Sequence, residues 1–584
     1  MSKSFEVREP LKTSIHGFAL ANPSLAAVEE DRVFYRAGEK THVALVSGGG
    51  AGHEPAHAGF IGKGMLRAAV VGDIFASPST RQVLHGIRLV AENASGVLLV
   101  LMNYTGDVLH FGLSAERAKA LGIDVKVVAV DDDVAVGREK GGKVGRRGLA
   151  GTILVEKVTG SFAERYSEKY GLEGAYKVAN IAKDSIVTIG SSVDHCNVPG
   201  RKFETELSGD EMELGMGIHN EPGVHVLNPI PITEDLIETQ MLPKLLDPSD
   251  KDRYFVPFDK DDEVVLLVNN LGGISNFMMS SIASVTTALL KKKYNIVPKH
   301  TIVGTVMSAF NMHGFSITLM NASKANKELK ESFPDIKLDV FEMLKEPTDA
   351  PGWPINCYDA APSVNKALLE DEEINHHVGT YDFQSFSKWM EGARDNIVKN
   401  EPEITQLDNL VGDGDCGYTL VAGVKGITDN LDKVSHEHLS SAMAKISEYV
   451  EAAMGGTSGG LYSILISGFV QGLLQTCKSD DQKVDPEVLA KSFEVALQTL
   501  FRYTNARPGS STMMDALVPF VEEFSKSKDF KKAVDAADKG AESTKKIEAS
   551  FGRASYVEHS EGIADPGAVG LVCILRGIEK AMYN

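Results

Sequence analysis

The sequence is poor in cysteine, has no long uninterrupted apolar run and carries no excess of positive charge. Its five cysteines, Cys196, Cys357, Cys416, Cys477 and Cys573, are odd in number, scattered and never spaced C-x-x-C. That excludes a disulfide framework and a zinc knuckle, and points to a reducing compartment. The opening MSKSFEVREP places Glu6, Arg8 and Glu9 where a signal peptide needs apolar residues, and no later run holds the roughly 18 apolar residues of a span. The most apolar stretch, Leu461 to Leu474, is interrupted by Ser463, Ser467 and Gln471. A cytoplasmic protein with no membrane partner is expected. Against 60 Lys and Arg stand 80 Asp and Glu, a formal charge of -20, which repels phosphate backbones and argues against nucleic acid as a partner. No G-x-x-x-x-G-K-S/T motif occurs, so any nucleotide is held by something other than a P-loop.

Three further motifs fail on context. HEPAH at 53–57 has the spacing of a zinc-protease helix, but it follows the glycine-rich SGGGAG and carries Pro55 where that helix must already run. GGGAGH at 48–53 approaches a dinucleotide fingerprint, yet His53 stands where the last glycine belongs. DGDCG at 413–417 lacks the later ligands of a calcium loop, having Gly417 and Val424.

What is present is a chain of 584 residues, 43% hydrophobic and 24% charged, enough for several packed cores. Up to about residue 340, short apolar runs alternate with helix-like segments. HVALVSG (42–48), GVLLVLMN (96–103), DVKVVAV (124–130), SIVTIGS (185–191), EVVLLVNN (263–270), TIVGTVMS (301–308) and SITLMN (316–321) are the expected strands. Continuous Val, Ile and Leu suit strands covered on both faces, so parallel α/β sheets in two lobes, dividing near residue 180, are expected. Pro347, Pro351, Pro354 and Pro362, followed by the acidic run 370–373, break any helix or central strand. The chain therefore reads as an α/β domain over 1–345, a linker over 346–378 and an all-α domain over 379–584. In the last, Leu420, Val421, Val424, Ile427 and Leu431 keep the helical period, as do Leu461, Ile464, Leu465, Phe469 and Leu473.

The residues that carry chemistry lie on glycine-rich loops. LDNLVGDGDCG (407–417) sets Asp408, Asp413 and Asp415 around Gly412 and Gly414. Three converging carboxylates suit Mg²⁺ and repel one another without a cation; the alternative is an acidic turn that caps the next helix. MGGTSGGLYS (454–463) offers open N–H groups, Thr457 and Ser458 at a helix start, which suits phosphate or, alternatively, a plain cap with close helix packing. Arg507 and Arg553 are each a phosphate contact or a surface ion pair. In the α/β part GGGAGHEPAH (48–57) and GMGIHNEPG (215–223) each hold a histidine beside Glu-Pro, and MNYTGDVLHFG (102–112) exposes Asp107 at the carboxyl end of a sheet. Two histidines and a carboxylate on strand-end loops suit carbonyl and hydroxyl chemistry on a small polar molecule, though any one histidine alone serves equally as a structural hydrogen-bonding group.

Taken together and in this order, GGGAGHEP, NYTGD, GMGIHNEPG, GDGDCG, MGGTSGGLYS, STMMDAL and GRASY with DPGA resemble the ATP-dependent dihydroxyacetone (glycerone) kinases in their single-chain, fungal-like form, over almost the whole sequence. The resemblance implies a two-lobed α/β substrate domain, then a helical barrel of eight helices binding ATP and Mg²⁺. It implies transfer of the γ-phosphate to dihydroxyacetone, with glyceraldehyde as a further candidate acceptor. His219 would hold the ketone as a covalent hemiaminal. Asp107 and His53 would contact the triose and assist the reacting hydroxyl, beside Gly50, Ala51 and Gly52. Asp408, Asp413 and Asp415 would hold two Mg²⁺, and Gly412, Gly414, Gly456, Thr457 and Ser458 would surround the phosphates. Met514, Arg553, Asp565, Pro566 and Gly567 would lie near the rest of the nucleotide. Ala51 stands where many relatives have Ser and Met102 where many have Lys, which removes any contact through those side chains. The resemblance also implies a homodimer. Cleavage of FAD to a cyclic FMN at the same nucleotide site is an alternative activity. A non-catalytic triose-sensing regulator is another, which the complete carboxylate triplet disfavours.

Overall fold

A computed structural model describes residues 7–38, 40–141, 145–199, 207–354, 377–551 and 562–583. The chain forms two compact units, Met1–Ala361 and Pro362–Asn584. The expected linker straddles this division, and its residues 355–376 lie outside the described residues.

The first unit holds two six-stranded sheets. In the first, β1 (Ala26–Val28), β2 (Val33–Tyr35), β3 (Thr41–Ala51), β4 (Ala68–Ile74), β5 (Ala94–Met102) and β6 (Val125–Val130) lie in the order β1-β2-β4-β3-β5-β6. Strands β4, β3, β5 and β6 are parallel, while β1 and β2 add an antiparallel edge. The second sheet contains β7 (Ile186–Ser192), β8 (Met212–Leu214), β9 (His225–Leu227), β10 (Val264–Asn270), β11 (His300–Gly304) and β12 (Gly314–Asn321), in the order β11-β10-β12-β7-β8-β9. Here the expectation of a parallel sheet is corrected: β10 and β11 are parallel, and every other named pair is antiparallel. Every residue of β7, β10 and β12 is buried. An uninterrupted apolar run reports that both faces are covered, not which way the neighbouring strand runs.

The helix Gly151–Lys183 packs across β3, β5 and β6 and touches β7, so it joins the lobes. One apolar core runs through both, containing Leu45 and Leu98 from the first sheet, Ile153 and Phe162 from this helix, and Val265 and Leu267 from the second sheet. The register of β3 on β4 shifts between Gly49 and Ala51. Such a bulge bends the strand end and re-aims the residues beyond it, here the segment carrying His53.

The second unit is all-α: among the described residues it has eight helices of more than ten residues, from Phe383–Val411 to Pro566–Tyr583. They surround an apolar cavity of about 880 Å³ lined by residues including Phe386, Trp389, Leu420, Ile446 and Phe469. The helix Gly456–Thr476 is long and apolar enough by composition to cross a membrane. In this fold its apolar residues Tyr462, Leu465, Ile466 and Phe469 face that cavity instead.

Candidate active site

In the α/β unit the structure brings together the two histidines from separate glycine loops. His53 is 1% exposed. Its Nδ1 lies 2.9 Å from the Ser308 carbonyl oxygen. A carbonyl can only accept, so this nitrogen carries the proton and Nε2 has the lone pair. Burial, reinforced by the His219 charge, lowers its pKa to about 3, so the ring is neutral at physiological pH. His219 Nδ1 lies 3.0 Å from Glu221 Oε1, and the His219 backbone N–H donates to Glu221 Oε2 at 2.9 Å. Burial opposes ionisation of Glu221, but these hydrogen bonds and the His219 charge outweigh it and bring the pKa to about 2. The two Nε2 atoms meet at 3.0 Å. With the His53 lone pair on one side, that contact holds one proton between the nitrogens, donated from His219.

An aromatic wall fixes both rings. Phe75 stacks on His53 with centroids 5.0 Å apart and meets His219 edge-on at 5.1 Å, and Tyr104 meets His219 edge-on at 4.7 Å. Phe75 and Phe310 both adopt positive φ, 52° each, a conformation that costs bulky residues on the order of 1–3 kcal/mol and gathers at functional sites. Gly52, at φ +107°, fits between them: a Cβ there would stand 2.6 Å from Phe310 and 2.8 Å from Phe75. Gly50 is half-buried, and Ala51 and Met102 are buried.

Asp107 was expected to be exposed; it is buried, 5% exposed, in the first turn of the helix Thr105–Ala120. The helix packs its first turn against the sheet end, which covers the carboxyl. Burial raises its pKa, opposed by a hydrogen bond from Ser77 and the charges of His57 and His219. Its Oδ1 is buried and has no hydrogen-bond partner among the described residues.

In the helical unit, carboxylate oxygens of Asp408, Asp413 and Asp415 lie within 4.8 Å of one another. Asp408 is buried and accepts the Cys416 N–H at 2.9 Å, while the other two are exposed. Asp415 occupies the cap position of the helix Cys416–Thr428 but makes no side-chain cap hydrogen bond; the helix-start N–H of Cys416 is met by Asp408, so capping accounts for Asp408 and not for Asp415. Gly412 leaves room for the buried ligand, since a Cβ there would stand 2.1 Å from Asp408 Oδ1. Three hard oxygen donors at this spacing fit Mg²⁺. The helix Gly456–Thr476 starts with exposed Gly455, Gly456 and Thr457 and a half-buried Ser458. A Cβ on Gly455, Gly456 or Gly460 would meet nothing, whereas Gly459, Gly468 and Gly472 are in close packing. The open N-terminus and the packing glycines are therefore different residues of one helix.

Met514 is buried. Asp565 caps the helix Pro566–Tyr583 through the Ala568 N–H at 2.7 Å, and burial with the charges of Asp515 and Asp408 raises its pKa to about 7. Arg507 lies 3.8 Å over the Phe501 ring and donates to the Thr504 and Ala506 carbonyls, so it braces its own loop and makes no ion pair among the described residues. Arg553 lies outside the described residues.

A Dak1 domain model matches residues 16–337, and a DAK2 domain model matches residues 410–580. Dihydroxyacetone kinase 1 of Saccharomyces cerevisiae is 64% identical over 583 residues, covering 100% of both chains. The chain belongs to the dihydroxyacetone kinase family. Within it, the triokinase/FMN cyclase of Rattus norvegicus is 37% identical over 590 residues, 98% of this chain and 97% of the relative. The crystal structure of the dihydroxyacetone kinase from C. freundii in complex with AMP-PNP and Mg2+ has a TM-score of 0.62 at 30% identity, covering 99% of each chain.

Several residues that shape the family site escaped the sequence reading. Ser308 fixes the His53 tautomer from 255 residues away, which no local signal reveals. Glu221 was visible only as part of a Glu-Pro echo. Asp515, 2% exposed, accepts the Gly509 and Thr512 N–H groups at 2.6 and 2.9 Å and orders the STMMD loop.

Proposed function

We propose that this protein transfers the γ-phosphoryl group of ATP to dihydroxyacetone, with the ketone anchored on His219. The observation that carries the covalent anchor is the Glu221–His219–His53 chain of contacts, in which a carboxylate, a nucleophilic ring and a neutral proton acceptor stand in line. The proton between the two Nε2 atoms passes to His53, which frees the His219 lone pair. That pair forms a bond to the ketone carbon while the carbonyl π electrons move to oxygen, and the oxygen takes the proton back from His53. The ring is left cationic at Nδ1, where Glu221 lies. Holding the triose this way fixes its terminal hydroxyl, and orientation fixed in advance lowers the barrier to transfer. Asp107, buried with a raised pKa, is suited to accept the hydroxyl proton.

Asp408, Asp413 and Asp415 are the residues that would hold Mg²⁺, and Gly456, Thr457 and Ser458 those that would receive phosphate; bound Mg²⁺ supplies charge neutralisation at the phosphates. Met514 and the Asp565-Pro566-Gly567 turn complete the nucleotide site in this reading, and the homodimer follows from the family resemblance. The test is ATP consumption with dihydroxyacetone beside glycerol, which has no carbonyl. Consumption with the ketone, little with glycerol and little with His219→Ala is expected; ketone-dependent turnover in His219→Ala equal to wild type overturns the anchor. The 37% identity to a triokinase/FMN cyclase favours one second activity, release of cyclic FMN from FAD, and an assay with FAD and Mn²⁺ reads it directly.

A further inference from the structure

A buried pair beside the triose site takes no part in the chemistry above. The side chains of His57 and Glu156 are 2% and 0% exposed. His57 Nδ1 lies 2.8 Å from Glu156 Oε1 and 3.0 Å from the Ser47 hydroxyl oxygen. The carboxylate comes from the helix Gly151–Lys183, the hydroxyl from β3 and the ring from the turn after β3, so three segments hold one ring. Its other nitrogen, Nε2, is buried and has no hydrogen-bond partner among the described residues. Native folds seldom leave such an atom unmet unless a ligand or ordered water takes it.

The location of that nitrogen favours a ligand. A Cβ placed on Gly49 would stand 4.0 Å from His57 Nε2 and 3.7 Å from the Met102 methyl. Gly49 and Met102 lie toward the carboxyl ends of the adjacent parallel strands β3 and β5, the edge where α/β folds bind ligands. Met102 has no hydrogen to donate there, so His57 is the polar group facing this space. His53 and Asp107 both lie within electrostatic reach of His57.

We propose that His57 Nε2 hydrogen-bonds the triose hydroxyl that is not phosphorylated, and that Glu156 is the positioning residue that fixes the ring. This rests on the kinase reading. A triose ketone presents three oxygens: the carbonyl faces His219 and His53, the reacting hydroxyl faces Asp107, and the second hydroxyl needs its own partner. A site that pairs a hydroxyl with a buried polar atom rejects the analogue that lacks it, because the atom is then left unpaired. His57 thereby separates dihydroxyacetone from hydroxyacetone.

The test compares these two ketones on the full chain, by isothermal titration calorimetry without nucleotide and by kcat/KM with MgATP. Wild type should prefer dihydroxyacetone by roughly 10-fold or more. His57→Phe, which keeps a flat ring without Nε2, and Glu156→Gln, which keeps shape but can reverse the tautomer, should bring the preference down to about 2-fold or less. His57→Phe leaves Glu156 unpaired and can fail to fold; Gly49→Ala then carries the test, since its methyl meets nothing closer than 3.7 Å and fills the space before Nε2. A wild type with no preference, or variants that weaken both ketones in equal proportion, overturns the proposal, the second result being that of a purely structural or water-filled pair. Preferential binding without any ATP consumption refutes the kinase reading and leaves His57 as a hydroxyl-binding residue.

Discussion

Replacing Glu221 by Gln is the sharpest perturbation of the His219 anchor. The carboxylate accepts two hydrogen bonds at once, from His219 Nδ1 at 3.0 Å and from the His219 backbone N–H at 2.9 Å. An amide has one accepting end. The backbone N–H cannot change its role, so the Gln oxygen must face it and the NH₂ must face Nδ1. The ring then accepts at Nδ1 and carries its hydrogen on Nε2, where the structure already supplies an acceptor in His53. The variant is thus well satisfied in its resting state, with the wrong nitrogen nucleophilic. Restoring the active tautomer requires the amide to flip and leaves the backbone N–H facing the amide NH₂ and the two Nε2 lone pairs facing each other, about 1–3 kcal/mol each. The sum, about 2–6 kcal/mol, is roughly 30-fold to more than 10⁴-fold in rate, comparable with tautomer errors in other histidine-dependent enzymes. A coupled assay should show kcat/KM for dihydroxyacetone falling by at least about 30-fold with nucleotide affinity unchanged, and nitrogen-15 NMR of His219 should report hydrogen on Nε2. Activity within a few-fold of wild type, or hydrogen retained on Nδ1, refutes the argument.

Asp413→Ala and Asp415→Ala should each lower turnover by about two orders of magnitude or more, as loss of a metal-clamping carboxylate does, while calorimetric affinity for dihydroxyacetone stays put. Gly412→Ala should weaken Mg²⁺ binding, read by metal titration of the nucleotide complex, because its methyl would stand 2.1 Å from Asp408 Oδ1. For acid stability the sign follows from Glu221, whose pKa falls from 4.5 in the unfolded chain to about 2 when folded. Its contribution is present above pH 4.5 and is lost as pH falls toward 2. Urea melts should therefore show wild type more stable than Glu221→Gln at pH 5, with the gap narrowed at pH 3 and closing only as pH falls through about 2.

Much of this architecture was legible because burial leaves a pattern. Runs such as EVVLLVNN and SITLMN mark β10 and β12, and the Leu and Val stripes mark the helices, because covering a face demands apolar residues at the matching period. Strand direction left no such mark, so the antiparallel pairing of the second lobe was not readable. Nor was β4, whose AAVVGDI opens on two alanines and is broken by Gly72 and Asp73, so it lacks a continuous run of large apolar residues. In the site, glycine loops advertised His53, His219 and the aspartates, since close approach demands glycine. The groups that set their chemistry did not advertise themselves. Ser308 acts through its carbonyl, which any residue could supply, and Glu156 meets His57 across 99 residues from within a helix. Asp107 looked exposed on its loop because sequence shows the turn but not the strand end against which it closes.

The most direct test of the central claim is carbon-13 NMR of the full chain with dihydroxyacetone labelled at its carbonyl carbon. With wild type, the bound carbon should move from the ketone region to the tetrahedral region, and with His219→Ala no tetrahedral signal should form. Addition of MgATP should then release labelled dihydroxyacetone phosphate from the wild-type complex. A bound triose that keeps its ketone resonance beside an intact His219, or a tetrahedral signal that survives His219→Ala, contradicts the account.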